Sequence, residues 1–181
     1  MPNNTVSPIN ATYRRDGNYV PITNGGITVV TSKTLVGNNA TVAVPLFTVT
    51  GKIEVTALYG DITTALGNNT VAFWRTNDGS TQNAITLATG TTLTGAIKGG
   101  VISKKAGVAT ALALTAGTSS QVAESATAGA NYFQDFIVTA NSLATSNIEF
   151  VYTTTDTPTT GTIKFYIRWI PLSTDANVLA L

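Results

Sequence analysis

Gly161-Thr162-Ile163-Lys164-Phe165-Tyr166-Ile167-Arg168-Trp169-Ile170 is the stretch that decides the fold. Ile163, Phe165, Ile167 and Trp169 share one phase of a period of two, and Lys164, Tyr166 and Arg168 share the other. A helix would scatter those apolar residues around its circumference, whereas a pleated strand gathers them on one face. Burying that face contributes on the order of 6–10 kcal/mol. A strand with one apolar and one polar face is half-buried and antiparallel, and this one belongs in the middle of its fold. Upstream, Asn147 to Thr154 alternates Ile148, Phe150 and Tyr152 against Glu149, Val151 and Thr153. The turn-rich run Asp156-Thr157-Pro158-Thr159-Thr160-Gly161 is expected to join the two strands as a hairpin.

Working outward, the same alternation recurs in short pieces between turn signals. Ile27 to Thr31 reads as strand, Gly37-Asn38-Asn39 as turn, and Ala40 to Val49 as strand with Pro45 marking an edge or a bend. Lys52 to Tyr59 sets Ile53, Val55, Ala57 and Tyr59 on one face. Gly60-Asp61 interrupts that run before Ile62, Thr64 and Leu66 resume it, which predicts a bulge or corner passing the chain from one sheet to another. Gly67-Asn68-Asn69 turns again, and Thr70 to Thr76 is a strand. Asn77-Asp78-Gly79-Ser80 is the strongest hairpin turn, because Asp-Gly tolerates positive φ. Residues 81–102 read as two or three short strands. Val108 to Thr115 is a further strand, followed by a loop over Ala116 to Ala130, with a short helix as the alternative to either, and Tyr132 to Thr139 is strand again. No repeat recurs at a fixed period, which excludes solenoids and propellers. The sum is an all-β chain folded as an antiparallel β-sandwich over residues 27–181. Residues 1–26 differ: Pro2, Pro8 and Pro21 favour extended chain, so an extended N-terminal arm is expected, ending at Asn24-Gly25-Gly26.

Composition excludes most chemistry. There is no His and no Cys, and only 10% of the residues are charged. Conventional triads and transition-metal sites lose their usual members, so no catalytic residue, metal or other cofactor is expected. The acids Glu54, Asp61, Asp135 and Glu149 are the candidates for a glycosidase pair, and Glu54 and Glu149 fall on polar strand phases where a solvated acid is the default. Ser103-Lys104 offers a formal nucleophile and base with nothing around them to support the role. Asp78 suits a turn better than a lone Ca²⁺ ligand. The net charge of +1, with Arg14-Arg15 and Lys104-Lys105 the only basic doublets, is far below what a phosphate-binding surface needs, so no nucleic acid is expected. Met1 to Asn10 lacks the pattern of a secretory signal, and no apolar run approaches the ~20 residues of a membrane helix; synthesis in the cytoplasm without a membrane partner is the expectation.

What remains is binding. Tyr13, Arg14, Arg15 and Tyr19 cluster in the arm, and tyrosine and arginine bury large area at interface centres, so these residues are the candidate partner contact. Trp169 is in phase with the apolar face of its strand and reads as core. Trp74 is opposite in phase to Phe73, so one of the two faces outward. Trp74 and Tyr59, with Tyr166 behind them, are therefore the candidates for stacking on a glycan.

The run from Val44 to Leu66, VPLFTVTGKIEVTALYGDITTAL, resembles a stretch in minor structural proteins of tailed bacteriophages, and Phe165 to Ser173, FYIRWIPLS, is similar to their closing strand. The resemblance implies a jelly-roll-like sandwich in the virion, on the capsid surface. It implies a non-enzymatic decoration or head-stabilising protein whose partners are the major capsid protein and sister subunits, with a homotrimer as the expected form. A head-fibre or tail module that recognises host surface glycans is the alternative.

Overall fold

β-branched residues pack well on a pleated surface and lose rotamer freedom in a helix, and every regular element among the described residues is a strand. The computed structural model describes residues 12–13, 19–20, 26–36, 40–66, 70–93, 96–104, 110–115, 135–140, 145–154 and 160–181. In chain order the strands are β1 (Thr12–Tyr13), β2 (Tyr19–Val20), β3 (Ile27–Val36), β4 (Thr41–Thr50), β5 (Lys52–Thr64), β6 (Thr70–Asn77), β7 (Gln82–Ala84), β8 (Thr91–Thr92), β9 (Val101–Ser103), β10 (Ala113–Thr115), β11 (Phe136–Thr139), β12 (Ser146–Thr154), β13 (Thr160–Pro171) and β14 (Asn177–Ala180).

Two antiparallel sheets face each other. One runs β10-β9-β5-β13-β3 with β11 also beside β5; the other runs β14-β4-β12-β6-β7 with β8 also beside β6. Consecutive strands β3, β4, β5 and β6 alternate between the sheets, as do β12 and β13. This is a jelly-roll arrangement of a β-sandwich. Ile163, Phe165, Ile167 and Trp169 are all buried, as their phase predicts. Phe150 of β12 joins the layers: its ring centroid lies 5.0 Å from Phe165 of the opposite sheet and 5.9 Å from Trp74 of its own.

The expected hairpin between the last two long strands does not form, because β12 and β13 lie in different sheets. β12 is flanked by β4 and β6, and β13 by β3 and β5. Alternation reports which side chains point inward but not which strand lies alongside. Each of these apolar strands takes a neighbour on both sides and occupies the middle of its own sheet.

β5 also departs from its expected phase. Its register against β13 passes from Arg168↔Ala57 to Trp169↔Val55, leaving Thr56 as an extra residue. The Thr56 hydroxyl donates to the Arg168 carbonyl at 3.4 Å. This bulge moves Leu58 rather than Tyr59 to the core side. A second shift, from Ile163↔Ile62 to Thr162↔Thr64, sets Thr63 apart, and its hydroxyl donates to the Thr162 carbonyl at 3.1 Å. β5 stays in one sheet throughout, so Gly60-Asp61 is not a corner. A Cβ on Gly60 would lie 2.7 Å from Ile163 Cγ2 and 3.2 Å from the Phe165 ring, so the glycine leaves room for the opposite side chains. Pro45 sits where an edge or a bend was expected: β14 pairs with β4 only over Phe47 to Thr50, and the β4–β12 register shifts between Ile148 and Glu149, pairing them with Phe47 and Pro45. The skipped Leu46 turns inward beside Phe47, and both are fully buried.

The β6–β7 hairpin forms where expected, closed by Asn77↔Gln82. Gly79 takes φ 92°, and the Asp78 carboxylate accepts the N–H groups of Ser80 at 2.9 Å and Thr81 at 2.6 Å. Of the arm, the described residues form a small ladder of their own, Thr12↔Val20 and Tyr13↔Tyr19. Its remainder through residue 25, the turns at 37–39 and 67–69, and the loop expected at 116–130 lie outside the described residues.

Candidate interaction surface

The acids expected to stand in solvent do not all do so. Glu149 sits on the outer phase of central strand β12 but is only 4% exposed. Its direct neighbour on β6 is Arg75. Arg75 Nε donates to Glu149 Oε2 at 2.6 Å, and Asn77 Nδ2 donates to Oε1 at 2.9 Å. A buried carboxylate needs such partners, and here both oxygens are held. Glu54, on β5, is in the other sheet, so these two acids form no catalytic pair. Among the described residues no group of three or more acids could hold a metal ion, and no helix is long and apolar enough to cross a membrane.

Ser103 and Lys104 do not form a dyad. Ser103 pairs with Tyr59, whose side chain is on the outer face. Lys104 is 3% exposed, with Nζ 5.1 Å from the Phe136 ring centroid. Successive residues of an extended chain point to opposite faces, so the two cannot meet. Burial lowers the Lys104 pKa, and the nearby Asp135 carboxylate partly opposes the shift.

The two glycan-stacking candidates part company. Trp74 is fully buried between the sheets, with its Nε1 unpartnered among the described residues, so it offers no face to a sugar; Phe73 takes the outward phase. The cause is register. Trp74 pairs with Phe150, and both point to the core. Tyr59 does face outward, because the Thr56 bulge puts it there. Its cross-strand neighbour is Tyr166, and the rings stack with centroids 4.7 Å apart and planes within 8°. Sequence alternation separated these tyrosines, since it placed Tyr59 on the core phase of β5. Only the extra residue in the ladder brings them to one face.

This stack forms the middle of a polar surface. Lys164 lies opposite Asp61, with Nζ 5.5 Å from the Tyr166 ring centroid, and Arg168 lies opposite Ala57. Across the sheet the row reads Val30, Tyr166, Tyr59, Ser103. Partial burial and the adjacent Tyr166 raise the Tyr59 pKa, while Arg168 pulls it down. The surface has charges of both signs around a stacked aromatic pair.

A second feature is a cleft of about 340 Å³ where the β6–β7 hairpin meets β11. Thr76, Asp78, Thr81, Asn83, Thr139 and Ser146 line it with hydroxyl, amide and carboxylate groups, and Ile137 adds an apolar wall. Thr81 first and Ser80 second hold the Asp78 pKa below its ordinary value by donating backbone N–H groups to the charged form. Of the arm candidates, Tyr13 and Tyr19 are backbone partners in the β1–β2 ladder, and Arg14 and Arg15 lie outside the described residues. No family model, curated protein or solved structure matches this chain.

Proposed function

We propose that this chain is a non-enzymatic structural protein that works by binding a larger assembly, of the kind that decorates and stabilises a bacteriophage capsid. The observation that carries the reading is the half-buried Tyr59–Tyr166 stack on the outer sheet face, with Lys164, Asp61 and Arg168 around it. Stacked rings have little freedom left to lose on binding, and tyrosine and arginine contribute much of the energy at interface centres. Charges of both signs at the margin fix orientation rather than strength. Elsewhere, Glu149 is held by Arg75 and Asn77, and Asp78 by its own turn. The phage assignment itself rests on the resemblance of the Val44 to Leu66 and Phe165 to Ser173 runs.

The test mixes purified protein with capsids and measures cosedimentation. Full-length chain binds, a Tyr59→Ala/Tyr166→Ala double variant with unchanged circular dichroism loses at least ~10-fold in affinity, and deletion of residues 1–24 abolishes attachment while the sandwich stays folded. Undiminished binding by the double variant removes the tyrosine face from the reading, and undiminished binding by the truncation removes the arm. The second reading, a glycan-binding head-fibre or tail module, is favoured by the hydroxyl-lined cleft at Thr76, Asp78 and Asn83. A glycan array decides it: binding that Asn83→Ala removes supports that reading, and a blank array counts against it.

A further inference from the structure

We infer that the outer edge of β3 is a pairing surface for a second copy of this chain, joined antiparallel, edge to edge, about a two-fold axis at Thr31. β3 is a strand of 10 residues whose one ladder partner among the described residues is β13. The side facing away is identified by two observations. The Val36 N–H and C=O leave the ladder and meet the Tyr152 hydroxyl, which accepts at 3.0 Å and donates at 3.1 Å. The Arg168 and Thr162 carbonyls of β13 accept from β5 residues, so even-numbered β13 residues face β5 and odd-numbered ones face β3. In an antiparallel ladder this alternation extends along the strand. The backbone groups of Thr28, Val30, Ser32 and Thr34 therefore point away from β13, and among the described residues they have no hydrogen-bond partner. Tyr152 satisfies the last of this series and leaves the others open.

Soluble proteins usually blunt such an edge with proline, a bulge or a charge pointing along it. β3 has neither proline nor bulge, and its register against β13 is unbroken. Its one charge, Lys33, lies opposite Ile163 on the phase that turns inward. Ile27, Val30 and Val36 are each more than a third exposed. The strand is also complementary to itself. About Thr31, Thr28 meets Thr34 of the second copy and Val30 meets Ser32, each pair exchanging two backbone bonds, about eight in all. Lys33 falls opposite Val29 of the second copy, so the lysines of the two edges do not face each other. The row of Tyr59, Tyr166 and Val30 continues into the Ser32 and Lys164 of the second copy. The inference rests on the assembly reading and gives it a contact between copies that closes as a two-fold pair in place of the expected homotrimer.

The test is mass by light scattering on the full chain at ~100 µM, a concentration at which a micromolar pair is mostly formed. The expected mass is twice the 18.7 kDa of one chain. Ser32→Pro removes only an outward N–H, a position where edge strands accept proline, and should give single-chain mass with an unchanged circular dichroism spectrum. If that variant does not fold, Val30→Cys/Ser32→Cys replaces it. The chain contains no cysteine, so mild oxidation should yield a single cross-linked pair. Single-chain mass for the unaltered protein, an oligomer indifferent to Ser32→Pro, or no cross-link overturns the inference. Capsid cosedimentation of Ser32→Pro is read separately, so failure of the pairing and failure of the capsid reading give different results.

Discussion

Replacing Arg75 by Met is the perturbation whose cost the structure defines best. The change keeps much of the side-chain volume and removes the cation from Glu149, whose side chain is 6% exposed, while that of Arg75 is 18% exposed. Breaking a fully buried ion pair costs about 3–5 kcal/mol, chiefly because the remaining charge is left in a poor solvent. Here Asn77 still donates to Oε1 and Arg75 keeps some contact with water, so we take about 2–3 kcal/mol. At roughly 2–4 °C per kcal/mol for a domain of this size, the thermal midpoint falls by about 5–10 °C. The double variant Arg75→Met/Glu149→Leu removes both charges and should recover most of that loss, giving a coupling of about 2 kcal/mol in the cycle. Urea unfolding with a constant slope provides all the free energies needed. Additivity of the single changes within ~0.5 kcal/mol would refute the claim that the carboxylate is buried and depends on Arg75.

Gly60→Ala should cost about 1–3 kcal/mol by urea unfolding, since the new methyl meets Ile163 Cγ2 at 2.7 Å; a neutral substitution would contradict the packing of Phe165 over that strand. Tyr59 should ionise above 10.0, followed at 295 nm against Tyr59→Phe. Because its folded pKa is raised, its contribution to stability is complete below pH 10.0 and is lost as pH rises through the folded value, whereas a titration at or below 10.0 would mean the stack leaves it solvated. Asp78 has the opposite sign: its folded pKa is lowered, so the turn is stabilised above pH 3.8 and the contribution is lost as pH falls through the folded value. Asp78→Asn should lower the thermal midpoint at pH 7 and converge with the parent protein in stronger acid, and a constant difference across that range would contradict the backbone contacts of its carboxylate.

The inward-facing residues of β12 and β13 were legible in the sequence because alternation directly encodes which side chains leave water. Their placement in separate sheets was not, since strand pairing is a long-range choice that no local pattern carries. Bulges account for the other differences. One extra residue at Thr56 turned Tyr59 outward, and the shift at Leu46 placed two consecutive apolar residues in the core. Threonine marks both irregularities of β5 by bonding a neighbouring carbonyl, but threonine is too common in this chain for that to serve as a signal. Trp74 shows the same limit: its neighbours in sequence, Phe73 and Arg75, could not say which aromatic faced the core, and pairing with Phe150 decided it. Glu149 lay on the polar phase as expected. Its burial follows from its place on a central strand beside Arg75 and Asn77, a context visible only once the sheet is assembled.

Electron cryomicroscopy of capsids saturated with the purified protein tests the central claim most directly. The account predicts added density at symmetry-related positions on the shell, with the β3–β13–β5–β9 sheet and its Tyr59–Tyr166 pair turned towards a neighbouring subunit. Bare shells at saturating protein, or density in which that face is turned to solvent, would contradict it.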